Sequence, residues 1–91
     1  MNDKMTRIRA RLEETFSPQV CQLEDESALH AGHAGAASGG GHYRLHLVSA
    51  SFEGQTRVTR HRLVYDCLRD MMHIEIHALA IIALAPSEVS E

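Results

Sequence analysis

The apolar residues of this chain change period along its length, and that change constrains the fold more than any single motif. From His42 to Ala50, Tyr43, Leu45 and Leu47 alternate with Arg44, His46 and Val48, the period of two of a strand with unlike faces. Upstream, Met5, Ile8, Leu12 and Phe16 recur at spacings of three and four, the stripe of an amphipathic helix ending before Pro18. Past a turn at Phe52-Glu53-Gly54-Gln55, the positions Val58, Leu63, Val64, Cys67, Leu68 and Met71 return to helical spacing, which predicts a helix from Thr56 to about Met72. Gln19 to Glu24 reads as a short first strand that the acidic cluster Glu24-Asp25-Glu26 carries out to solvent, pairing with the second strand as an antiparallel hairpin. Ile76 to Leu84 is a nearly continuous apolar run, expected to be a strand buried on both faces or at the sheet centre. Helix, strand, strand, helix, strand predicts an α+β domain with helices packed on one face of a three-stranded sheet. The polar tail from about 86 is expected to fray.

With 91 residues, 44% hydrophobic and 23% charged, the chain has material for one core and no second domain. No stretch reaches the roughly 18 consecutive apolar residues of a membrane span, so the expectation is a soluble cytoplasmic protein. Arg7, Arg9 and Arg11 leave room for the remnant of an organelle-targeted precursor, and hence for an organelle matrix. A net charge of −3 supplies no overall field for nucleic acid or anionic membrane, so any such binding needs a local patch. Cys21 and Cys67 are too few for a disulfide scaffold and read as reduced, buried small hydrophobes.

Ser27 to Gly41 holds five of the six glycines and has no periodicity, so it is expected to be a mobile loop of about 27–41, either a plain connection or a functional one. Seven histidines mark the chain, and three of them, His30, His33 and His42, lie in or beside this loop, while His77 opens the last apolar run. Neutral imidazole is the commonest protein metal ligand. Two imidazoles brought together by the fold would form a half-site rather than a closed structural zinc site, which takes four protein ligands. Read singly, each histidine is equally a surface residue or a satisfied core residue.

Catalytic motifs are absent: there is no G-x-S-x-G elbow, H-E-x-x-H pair or phosphate loop, and little aromatic material for a deep pocket. A non-enzymatic protein is expected. Gly32-His33-Ala34-Gly35 has the G-x-x-G spacing of a nucleic-acid clamp, but it falls between two predicted strands where the clamp needs two helices. Arg57, Arg60, His61 and Arg62 form a basic stretch at the head of the second helix, with Arg57, Arg60 and His61 at i, i+3 and i+4. Cations at a helix N-terminus oppose the macrodipole, so the stretch reads either as a solvated face or as one kept for phosphates or an acidic partner.

The segment FEGQTRVTRHRLVYDCL, Phe52 to Leu68, followed by IHALAIIAL, Ile76 to Leu84, closely resembles the BolA-like proteins, whose signature is F-x-G-x-[ST]-x-V-x-R-H-R with a later H-A-L. Leu23 to Gly35 and Gly39 to Gly54 resemble the family's acidic strand end, histidine loop and second strand. The resemblance implies a class II KH-like fold with a three-stranded mixed sheet. It also implies partnership with monothiol glutaredoxins around a shared 2Fe-2S cluster. In that arrangement the glutaredoxin contributes a cysteine and a glutathione thiolate, and the BolA-like side contributes the histidine of H-A-L and a second residue from the loop between the first two strands. Carried over by motif, these are His77 and His30, with His33 the competitor and His42 further back. His61 is implied to be structural or partner-contacting, and Arg60 and Arg62 to help meet the partner. The family's alternative role is DNA binding and transcriptional control through the basic helix. Ala85 to Glu91 leaves room for little more than one turn where many relatives continue into a further helix.

Overall fold

The structure, a computed structural model, describes residues 3–26 and 41–89. Helix α1 (Asp3–Phe16) leads to strand β1 (Val20–Asp25), then β2 (Gly41–Val48), helix α2 (Arg57–Cys67) and strand β3 (Ile76–Leu84). The three strands form one sheet in the order β1-β2-β3. β1 runs antiparallel to β2, from Val20 opposite Val48 to Asp25 opposite Tyr43, and β2 runs parallel to β3.

Helix α1 buries the predicted stripe: Ile8, Leu12 and Phe16 lie in the core and Met5 packs against it. It stops where Ser17 adopts a left-handed conformation, φ 43°, and donates its N–H to the Glu13 carbonyl at 3.0 Å, with Pro18 barring continuation. The core closes with Leu23, Tyr43, Leu45, Leu47, Phe52, Val64, Leu68, Met71, Ile76 and Leu79. Its sheet side is the alternate set of β2 residues, as the period of two predicted. Arg7 pairs with Glu75 and Arg11 with Asp70, so two of the arginines compatible with a targeting remnant tie α1 to the approach to β3. Both cysteines are free and half-buried.

Several expectations shift. β3 is an edge strand rather than the sheet centre; its apolar character serves the core through Ile76, Leu79 and Ala83, while Ala78, Ala80 and Ile82 are exposed on the open face. Helix α2 ends at Cys67, not near Met72, and Leu68 to Ile76 continue as turns bonded back to Leu68, Arg69 and Met71 carbonyls. Two apolar residues of its predicted stripe, Val58 and Leu63, face solvent, while the helix buries Arg60 and Val64. Ala50–Phe52 is a single 3-10 turn that buries Phe52. The segment after Ala85 is held: Pro86–Glu88 forms a 3-10 turn whose Glu88 carboxylate takes two hydrogen bonds from Arg60.

Candidate metal centre

Parallel pairing places the first residues of β2 and β3 at the same end of the sheet. Gly41 opposes Ile76, but His42 opposes Ala78, so His77 is the extra residue of a bulge. Bulges re-aim side chains, and this one leaves His77 exposed beside His42. The two imidazole centres stand 5.1 Å apart, with ring planes inclined at 47°. An imidazole centre lies about 3.2 Å from a metal bonded at about 2.1 Å, so two imidazoles on one tetrahedral metal put their centres about 5 Å apart. The observed separation is compatible with that distance, and equally with a plain ring contact.

Gly41 sets the position of His42. Its N–H donates to the Glu75 carbonyl at 3.1 Å, and a Cβ at this position would run into the ring of the buried Tyr43. Burial raises the pKa of the Tyr43 phenol, helped by the charge of Asp25. Beyond His77 lies a shallow groove lined by Tyr65, Asp66, Arg69, Met72 and His73. His73 holds the turn before β3 in the left-handed region, φ 68°, and its N–H donates to the Ile76 carbonyl at 2.7 Å.

Among the described residues, no group of three or more His, Cys, Asp or Glu side chains could hold a metal ion. The thiols are elsewhere: Cys67 Sγ donates toward the Arg11 carbonyl and Thr15 Oγ1 at 3.4 and 3.3 Å, and Cys21 packs against the core. Two nitrogen donors with no thiolate make a half-site, and the donor set suits one iron of a cluster whose other ligands come from outside the chain. His30 and His33, the loop ligands implied by the resemblance, lie outside the described residues, as does the Gly32–Gly35 match. Among the described residues, His42, the least favoured of the three by motif, faces His77. Parallel strand order was the signal that could have found it.

The basic stretch divides. Thr56 caps α2, its hydroxyl accepting from the Thr59 N–H at 3.1 Å. Arg60 is turned inward and buried: Nε donates to the Gln55 carbonyl at 2.9 Å, Nη1 to the Ala83 carbonyl at 3.0 Å, and the guanidinium grips Glu88. It is a clasp between α2, β3 and the tail, with most of its N–H donors engaged within the chain. Arg57 and Arg62 remain exposed, and Arg57 and His61 line a groove against the β3 edge.

The model of BolA-like proteins matches residues 12–88. Mouse BolA-like protein 1 is 43% identical over 84 residues, 92% of this chain and 59% of that protein. The DNA-binding transcriptional regulator BolA of Haemophilus influenzae is 33% identical over 81 residues, 89% of this chain and 76% of that protein. The solved BolA domain of SufE1 from Arabidopsis thaliana superposes with a TM-score of 0.85 at 41% identity, covering 98% of this chain and 99% of that one. The chain spans less than two thirds of the length of several curated relatives that it matches.

Proposed function

The chain belongs to the BolA-like protein family, and on that premise we propose that it is a non-enzymatic partner of a monothiol glutaredoxin, co-ligating a 2Fe-2S cluster through histidines. The cluster, when bound, supplies exchangeable iron and sulfide and one-electron chemistry. The chain's own part is to hold two neutral imidazoles, His77 and one from the β1–β2 side, at a separation that suits one iron. The observation that carries this reading is the His42–His77 pair, brought together by a bulge at one end of the sheet, with His42 half-buried and His77 exposed. His30 and His33 stand as competitors to His42 for the second position. Exposure on the His77 side gives a partner's thiolates access, and the groove from Tyr65 to His73 offers a surface for it. Such a pairing serves cluster trafficking or iron signalling, in the cytoplasm or an organelle matrix.

The test is absorption and circular dichroism after anaerobic reconstitution with a monothiol glutaredoxin and glutathione, for wild type and for His77→Ala, His42→Ala, His30→Ala and His33→Ala. A heterodimer spectrum lost in His77→Ala, and altered in one of the other three, supports the half-site and names the second ligand. A wild-type spectrum equal to that of glutaredoxin alone overturns the reading.

A second reading, DNA binding, draws on the exposed Arg57 and Arg62 and on the name carried by the Haemophilus relative. It requires affinity that falls steeply with salt and a slope that flattens in Arg57→Ala. Undetectable or salt-insensitive binding removes it.

A further inference from the structure

Among the described residues, β3 has a neighbour on one side only. Leu84 points its carbonyl at β2, where it accepts from the Ser49 N–H at 3.0 Å, so pleat alternation turns the N–H and C=O groups of Leu79, Ile81 and Ala83 to the free edge. Two of these carbonyls are already occupied: Ala83's by Arg60 Nη1 at 3.0 Å and Leu79's by the Tyr65 hydroxyl at 3.4 Å. Between them the outward N–H and C=O of Ile81 have no partner among the described residues. Long apolar edges are hazards that folded proteins cover or use.

The groove along this edge is lined by Arg57, Arg60, His61, Ile81, Ile82 and Glu88. The Arg60 and Glu88 charges cancel each other, whereas Arg57 and His61 have no partner among the described residues. Among the lining residues the unmatched full charge is that of Arg57, on the α2 side. On the opposite, open face Ile82 is about half exposed.

We propose that the β3 edge between Arg60 and Tyr65 takes an extended acidic peptide by strand addition, with acidic side chains toward Arg57 and His61 and apolar ones toward Ile82. Main-chain bonds at an open edge give affinity, and alternate side chains give specificity. A second copy fits worse: Ile76–Leu84 contains no acidic residue, and edge-to-edge pairing would bring the cationic flanks together. Nucleic acid also fits worse, because phosphates need donors alone and leave the outward Ile81 carbonyl unmatched. The inference is independent of the histidine pair.

The probe is a blocked octapeptide of alternating Glu and Val, titrated into the isotope-labelled full chain and followed by amide NMR and hydrogen exchange. Shifts and slowed exchange at Leu79, Ile81 and Ala83 are expected, with binding roughly tenfold weaker in Arg57→Glu and unchanged in His77→Ala. An N-methylated version of the peptide, which cannot pair along the edge, should not bind. Shifts at Arg57 and His61 without slowed exchange at Ile81, or equal binding of a Lys-Val octapeptide, would refute strand addition. So would a dimer formed through β3 that the peptide fails to displace, or salt-steep oligonucleotide binding at these amides where the peptide does not bind.

Discussion

Replacing Ser49 with alanine removes two hydrogen bonds at the seam where α1, β2 and β3 meet. The Ser49 hydroxyl is buried; it donates to the Phe16 carbonyl at 2.7 Å and accepts from the Ser51 N–H at 3.1 Å. The Phe16 carbonyl belongs to the last turn of α1 and has no intrahelical donor, so in the variant it stays buried and unsatisfied, at about 1–3 kcal/mol. Losing the cap of the turn at Ala50–Phe52 adds about 1 kcal/mol. A total near 3 kcal/mol corresponds to a fall in Tm of about 12–24 °C for a domain of this size. Differential scanning calorimetry of Ser49→Ala beside Ser51→Ala separates the hydroxyl from the exposed amide donor, since Ser51→Ala keeps its N–H and should move Tm by only about 2 °C. A Ser49→Ala shift below about 3 °C would refute the reasoning, because the Phe16 carbonyl would then have found another donor. Ser49 is remote from His42 and His77, so the reconstituted spectrum should survive below the new Tm.

Phe52→Ala empties a fully buried site and removes the Phe16 ring contact at 5.2 Å; a loss of about 3–5 kcal/mol in urea unfolding is expected, well above that of Phe52→Leu. Gly54→Ala meets no neighbouring atom, so its cost is the left-handed backbone at φ 73°, about 1 kcal/mol by the same assay, and Gly54→Asn should recover part of it. The Arg60 guanidinium, and after it the Ala85 N–H, hold the Glu88 carboxyl below its usual range. Its stabilising effect is therefore full above the unfolded pKa of about 4.3 and lost as pH falls through the lower folded value. The Tm gap between wild type and Glu88→Gln should accordingly narrow between about pH 6 and pH 3, and a constant gap would contradict the assignment. Because imidazole binds metal only when neutral, the reconstituted heterodimer should bleach between about pH 7.5 and pH 5, and an unchanged absorption spectrum would count against histidine ligation.

Local periodicity carried the elements. The stripe Met5, Ile8, Leu12 and Phe16 and the alternation of β2 each reported a buried face, and both are where the sequence put them. It failed for the order of strands, because an apolar run such as Ile76–Leu84 looks alike at the centre of a sheet and at an edge whose exposed positions are Ala and Ile. The roles of Arg60 and Glu88 were hidden for a related reason. A half-buried ion pair across 28 positions has no local signature, and Arg60 read as one more cation on a basic face. His77 was singled out through the H-A-L resemblance. The facing of His42 and His77 was not, since it depends on parallel pairing and on a bulge that skips one residue.

The bulge at His77 also has a meaning for biosynthesis. His42 and His77 belong to strands whose pairing is long-range, and β3 is the last of the three strands to leave the ribosome. Chains fold from the N-terminal side as they are made, so α1 and the β1–β2 hairpin can form while the two imidazoles are still apart. The paired site comes into being only with the parallel ladder, in a chain synthesised through β3. Under the proposed function, a partner that needs both histidines would therefore engage only chains in which β3 has paired.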